Sequence, residues 1–365
     1  LRREYLLALH VFIVALQPPI TILYQVCFPA CMYQIKRTPE EFIVKEISKI
    51  NTKENGQYAY FLLKKTNYST VRALEVLSEK LKIPLKNIGF AGNKDRNAVT
   101  EQAISVFKGS RNIENLNLRN IKLKYLGNGK EPISLGDLEG NEFTIVMWNL
   151  SDNEVKKIKN LEKKTINVPN LFGPQRFSNN NHLVGKAVIK KDFKKAVELI
   201  LENEGGIELQ IKEYLKNNKN DYAGALRLIP LKTRKLFIHS YQSLLFNRTI
   251  DEYLKNNKEE KKIKNIQVPI IGFNLELNSI KNKELKNIIK KIVEEEKISP
   301  RDFIISQMPE LTSEGTSRNL FFELNDLKVL ETSEDGLNES MKKIKINFTL
   351  PKSCYATTLL EFICQ

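Results

Sequence analysis

Cysteine is scarce. Four occur in 365 residues, Cys27 and Cys31 close together and Cys354 and Cys364 near the end. That is no disulfide framework for a chain this long, and no histidine lies at metal-ligand spacing from either pair, so a zinc site is not expected. A reducing cytoplasm fits this cysteine usage. The chain also lacks a glycine-rich phosphate loop and a dinucleotide fingerprint, which removes nucleotide-driven and hydride-transfer chemistry from the expectations. No internal repeat or low-complexity tract is evident.

Charge is missing from one stretch only. Tyr5 to Ile35 contains no Asp, Glu, Lys or Arg, whereas everything from Lys36 onward is densely charged. The apolar run Leu6–Leu16 is too short to span a bilayer, and Pro18-Pro19 interrupt it. Arg2 and Arg3 ahead of that run resemble the start of a signal peptide, with Cys27 or Ala30 near a cleavage site, or a weak anchor. The favoured reading is that Met32 is the true start and residues 1–31 are upstream translation, so residues 1–33 are expected to be a non-native or disordered extension.

Across the whole chain Lys and Arg outnumber Asp and Glu by 58 to 43, a formal net charge of +15. Such an excess favours a polyanionic partner through counterion release, although lysines alternating with Glu and Asn on solvated helices also serve solubility. Charge alone does not distinguish tRNA from DNA or anionic lipid.

Phe42–Ile47 and Tyr58–Leu63 are β-rich runs around a turn containing Asn55-Gly56 and read as a strand pair. Val71, Leu74, Leu77 and Leu81 recur at helical spacing behind Ser69, and Pro84 stops that helix. Ile121–Tyr125 and Glu142–Trp148 read as strands, and Ser151 with Glu154 forms a capping box opening another helix. Beyond about residue 185 the texture becomes helical: Asp192–Glu202, Leu236–Leu254 and Lys281–Lys297. Ile344–Leu350 and Tyr355–Ile363 return to strand-like composition.

The chemistry-bearing segment is Gly89–Gln102. Two glycines allow a tight turn, and Asp95 lies between Lys94 and Arg96, whose charge would hold the carboxylate ionised for nucleophilic or basic work. Taken alone the loop stays ambiguous. Gly89-x-x-Gly92 also suits the clamp loop of a KH-type RNA-binding module, and Asp95 also suits a surface turn.

Gly92, Lys94, Asp95, Ala98, Thr100 and Gln102 together resemble the G-x-K-D-x-x-A-x-T-x-Q catalytic motif of TruD-type pseudouridine synthases. Other segments follow in the family's order. Lys36–Glu46 is similar to K-x-x-P-E-D-F-x-V-x-E, Leu135–Phe143 to L-G-x-L-x-G-N-x-F, and Pro169–Phe177 to P-N-x-F-G-x-Q-R-F. His239–Asn247 and Gly315–Arg318 match segments of archaeal and eukaryotic members, and Leu350-Pro351 with Tyr355–Thr357 resembles the closing L-P-x-G-S-Y-A-T. Ser178 and Ser353 stand where the family has glycine, and the arginine usual near Leu360-Glu361 is absent.

The resemblance implies an α+β fold: a mixed, mainly antiparallel sheet with an inserted, mostly helical domain. It places the catalytic domain in residues 34–184 and 333–365 and the inserted RNA-binding domain in 185–332, with tRNA bound between them. It implies uridine-to-pseudouridine isomerisation, usually at position 13 of tRNA, without metal or cofactor and without a membrane. Asp95 takes the carboxylate role, attacking sugar or uracil or promoting deprotonation at C2′. Lys36 pairs with it, Asn170 supplies an amide, Phe172 stacks on the target base, and Tyr355 lines the pocket's other side. Lys94, Arg96, Gln175 and Arg176 are expected to support that site or touch RNA. His182 and His239 match no catalytic position of the family. The rival expectation is an RNA-binding protein that keeps the fold without turnover.

Overall fold

The computed structural model describes residues 33–364, apart from Glu54, Asn179 and 258–264. The expectations for Met32, for Cys27 and Cys31, and for the extension ahead of them lie outside the described residues. In chain order the elements are β1 (Phe42–Ile47), β2 (Tyr58–Thr66), α1 (Thr70–Leu81), β3 (Ile88–Phe90), β4 (Val99–Phe107), β5 (Ile121–Gly129), β6 (Gly140–Leu150), α2 (Asp152–Asn160) and β7 (Ile166–Pro169). Then follow α3 (Asn181–Ile189), α4 (Phe193–Leu201), α5 (Gly206–Asn217), α6 (Tyr222–Arg227), α7 (Leu231–Asn256), β8 (Gln267–Pro269) and α8 (Lys283–Glu295). The chain closes with β9 (Ser317–Asn319), β10 (Phe321–Leu324), β11 (Lys328–Glu334), β12 (Lys342–Pro351) and α9 (Ala356–Ile363).

Two compact units result. Among the described residues, one comprises 33–168 together with 322–364; the other comprises 169–321. The crossings fall at Pro169 and Phe321 rather than at the expected 184/185 and 332/333. Helix α3 explains the first difference. It packs so closely on α7 that a Cβ at Gly185 would stand 2.1 Å from the Phe237 carbonyl oxygen. Strand β11 explains the second, because it pairs with β12 in the sheet of the first unit.

That sheet has eight strands in the order β11-β12-β6-β1-β4-β2-β5, with β3 also on β4. In this sheet β1 and β4 run parallel, whereas the β1–β6, β11–β12, β12–β6, β2–β4, β2–β5 and β3–β4 ladders are antiparallel. The expected β1–β2 hairpin does not form, since β4 lies between them. Gly56 marks a close approach instead of a tight turn: a Cβ there would meet the Gly129 carbonyl oxygen at 2.3 Å. Lys53 donates to the Asn128 carbonyl at 2.8 Å, so the connecting loop runs beside the end of β5.

The sheet carries two hydrophobic clusters. Phe42 of β1 meets Phe143 of β6 edge-on, Phe143 stacks on Phe348 of β12, and α2 and α9 pack in the same cluster. Phe61, Leu63 and Ile104 pack under Leu74 and Leu77 of α1. Helix α1 ends at Leu81, ahead of Pro84, with Lys82 left-handed. The Ser151–Glu154 capping box is present at α2. The final segment is a helix, not the expected strand: Ala356, Leu359, Leu360 and Ile363 are buried at helical spacing against the sheet. Packing here overrides the β-leaning composition.

The unit of 169–321 is built mainly of helices. Helix α7 begins directly after Pro230, five residues ahead of the expected Leu236, and buries Tyr241, Leu245 and Phe246. Glu296 gathers Tyr241 at 2.8 Å, Lys186 at 2.6 Å and Arg248, tying α3 and α7 to the end of α8. No helix among the described residues is long and apolar enough to cross a membrane.

Ser178 and Ser353, the two departures from family glycines, both adopt left-handed backbone, with φ of 45° and 69°. A β-carbon is strained in that region. Ser178→Gly is therefore expected to raise unfolding free energy by about 0.5–1 kcal/mol, read from urea melts; an unchanged or lower midpoint would contradict it.

Candidate active site

Strand register brings the first two motifs together. Because β1 runs parallel to β4, with Ile43 opposite Val99, the segment entering β1 lies beside the loop entering β4. Lys36 is in the first segment and Asp95 in the second. The Lys36 ammonium donates to Asp95 Oδ1 at 3.0 Å, and Asp95 keeps 31% of its side-chain surface exposed. Lys36 also sits over the Phe42 ring, 4.0 Å from its centroid.

Lys36 has a φ of 62°, and its neighbours fix that turn. Gln34 bridges to Trp148 through two backbone hydrogen bonds. Arg37 stacks on the Trp148 ring at 4.2 Å and donates to buried Asp335 at 3.3 Å. Burial alone would push the Asp335 carboxyl up. Hydrogen bonds from Asn338, from the Asn149 and Leu337 amides and from Arg37 outweigh that and hold it at about 2.

Lys94 does not face Asp95 as the sequence suggested. Its ammonium turns inward and bonds to Glu46, with both side chains almost fully buried. Glu46 closes the motif that begins with Lys36, so two ion pairs join the first motif to the second. A third tie is uncharged: Thr70 accepts from the Lys94 amide at 2.8 Å and donates to Gln102 at 2.9 Å. Gln102 in turn donates to the Gly92 carbonyl at 3.0 Å. Ala98 is fully buried and Arg96 exposed. Most of the motif is thus a frame that presents one aspartate.

Sequence reasoning passed over Glu46, Thr70, Asp335 and Lys65. Lys65, at the end of β2, is completely buried and donates to the carbonyls of Asp95 at 2.8 Å and Tyr68 at 2.5 Å. The available signal was alternation: Lys65 falls on the same face of β2 as buried Ala59, Phe61 and Leu63, beside exposed Lys64. Tyr355 belongs to the same unit and is the N-cap residue of α9.

Asn170, Phe172, Gln175 and Arg176 belong to the other unit, where Asn170, Phe172 and Arg176 form their own cluster. The Phe172 amide donates to Asn247 Oδ1 at 2.9 Å, and Asn247 returns a bond to the Phe172 carbonyl at 2.9 Å. The guanidinium of Arg318 lies 4.4 Å from the Phe172 ring centroid, and that of Arg176 lies 5.6 Å away. Arg318 also donates to Asn170 Oδ1, while Asn170 Nδ2 donates to the Asn319 carbonyl at 3.1 Å. Ser240 and Ser243 hold the carbonyl and the Nε of Arg176. Gln175 is exposed. The His239–Asn247 motif is therefore a frame for the Pro169–Phe177 motif. His182 is a buried ring edge-on to Phe177, and burial pushes its imidazole down to about 4. No group of three or more His, Cys, Asp or Glu among the described residues could hold a metal ion.

The family model for tRNA pseudouridine synthase D (TruD) matches residues 21–209, 203–265 and 254–362. The chain belongs to the TruD family. It is 31% identical to the tRNA pseudouridine synthase D of Aquifex aeolicus, covering 90% of this chain and 97% of that protein. It is likewise 31% identical to the probable tRNA pseudouridine synthase D of Methanosarcina mazei, covering 90% and 92%. A crystal structure of a putative tRNA pseudouridine synthase D from Methanosarcina mazei superposes with a TM-score of 0.69 at 29% identity, over 90% of this chain and 93% of that one. The mixed α+β architecture is that of a TruD protein.

Glu46→Gln should leave the Lys94 ammonium buried without its counter-ion and lower unfolding free energy by about 3–5 kcal/mol. A Glu46→Met, Lys94→Met double variant should recover most of that loss in the same urea melts, since matched apolar side chains commonly replace a buried pair at little cost. Equal losses in the single and double variants would contradict the ion-pair account.

Proposed function

We propose that this chain isomerises a uridine of tRNA to pseudouridine, with Asp95 as the working carboxylate. The observation that carries the reading is the Lys36–Asp95 ion pair, held in a rigid frame yet open to solvent on the aspartate side. In the reaction the N1–C1′ bond breaks and a C5–C1′ bond forms, C5 loses a proton and N1 gains one. The exchange is redox-neutral and adds no group, so the reading calls for no cofactor. A carboxylate near C1′ answers the positive character that develops on the sugar as the glycosidic bond opens.

Reaching those atoms requires the target nucleotide to leave its stack. On the family resemblance we read Phe172 as the aromatic that meets the extruded uracil and Asn170 as an orienting amide, both on the unit of 169–321, and Tyr355, on the other unit, as a further base-contacting aromatic. Exposed Arg96 and Gln175, with Arg176, are read as RNA contacts, and buried Lys94 as support for the loop. In the same reading the unit carrying Asp95 is catalytic and the unit of 169–321 binds RNA. The +15 formal charge favours association with the polyanion. The preferred target is position 13, and the enzyme acts in the cytoplasm.

Asp95→Asn tests the reading directly. Pseudouridine formation should fall by about three orders of magnitude or more, while tRNA affinity stays within about threefold. A variant that still modifies tRNA would sink the assignment. Pseudouridine mapping of host tRNA with and without the gene identifies the position.

A further inference from the structure

Lys65 is not used by the reaction as described, yet it touches the peptide that carries Asp95. Its ammonium has no exposed surface. Its hydrogen bonds to the Asp95 and Tyr68 carbonyls span the end of β2 and the loop ahead of β4. Lys65 lies opposite Thr100 on β4 and Ile121 on β5, both uncharged. The charged groups acting on it are Asp95 and Lys94 from the loop. Each of those is engaged in turn, Asp95 by Lys36 and Lys94 by Glu46. A cation buried in this way is costly unless its donors are satisfied, so its retention here calls for a reason beyond packing.

We propose that Lys65 is a positioning residue for the isomerisation: its ammonium fixes the Asp95 carbonyl from behind and so aims the Asp95 carboxylate. The inference rests on the reading of Asp95 as the working carboxylate. A charged ammonium binds two carbonyls with three donors and charge-assisted strength, whereas a neutral amine binds them more weakly. Loss of the proton therefore loosens the loop at the aspartate while leaving the rest of the frame in place. Burial lowers the Lys65 ammonium to about 8, with Asp95 opposing and Lys94 reinforcing the shift. Because the charged form is the one that positions, activity is retained below pH 8 and lost as pH rises through it.

The test is the single-turnover rate of pseudouridine formation in a tRNA transcript, with enzyme saturating, from pH 6.5 to 9.5. The wild type should lose about tenfold or more of its rate across an alkaline limb with its midpoint near pH 8. Lys65→Met, close in volume but unable to donate or titrate, should react about thirtyfold more slowly or worse at pH 7. It should lack that limb and bind tRNA within about threefold of wild type. A wild-type profile flat to pH 9.5 overturns the proposal even if the variant fails to fold. So does a folded Lys65→Met enzyme that keeps the wild-type rate or the same limb. Asp95→Asn separates the two readings: if it is inactive while Lys65→Met is normal, only the positioning role fails. If Asp95→Asn is active, the function itself is wrong.

Discussion

The buried ion pair between Glu46 and Lys94 is the constraint from which the arrangement around Asp95 follows. Both side chains are withdrawn from water, so each charge is tolerable only while the other is present. Glu46 is carried by β1 and Lys94 by the loop entering β4, two segments that the parallel β1–β4 ladder already sets side by side. The pair converts that adjacency into a fixed position for the loop. Once Lys94 is turned inward, Asp95 is turned outward toward Lys36.

The remaining ties act on the same short stretch of backbone from different sides. Thr70 and Gln102 bind the Lys94 amide and the Gly92 carbonyl, and Lys65 binds the Asp95 carbonyl. On the opposite side, Asp335 holds Arg37 and Trp148 supports its guanidinium, which keeps Lys36 in its left-handed turn. For the role proposed for Asp95 such support matters, because a displacement of about 1 Å can cost two orders of magnitude in rate. The second cluster follows the same logic within its own unit: Asn247 clamps the Phe172 peptide, and the Arg318 and Arg176 guanidiniums lie 4.4 and 5.6 Å from its ring centroid.

Much of the candidate site was legible in the sequence because its residues fall in compact motifs. Lys36, Asp95, Asn170 and Phe172 could be singled out before any coordinates. Their partners could not. Glu46 and Lys94 lie 48 positions apart, and Asp335 and Arg37 lie 298 apart. Periodicity along a chain says which face a residue occupies, not which distant residue it meets. Lys94 shows the consequence: next to Asp95 in sequence, it looked like that residue's neighbouring cation, yet it serves Glu46.

The sequence by itself determined the family, the α+β class, the α2 capping box and the identity of the candidate-site aspartate. Each of these is written in local composition, spacing or motif. Tertiary structure decided the rest: β4 inserted between β1 and β2, α9 formed from β-leaning residues, unit boundaries at Pro169 and Phe321, and Lys65 buried beneath Asp95. Those outcomes depend on burying apolar faces and pairing charges between segments far apart in the chain, and such energies exist only once the chain has folded.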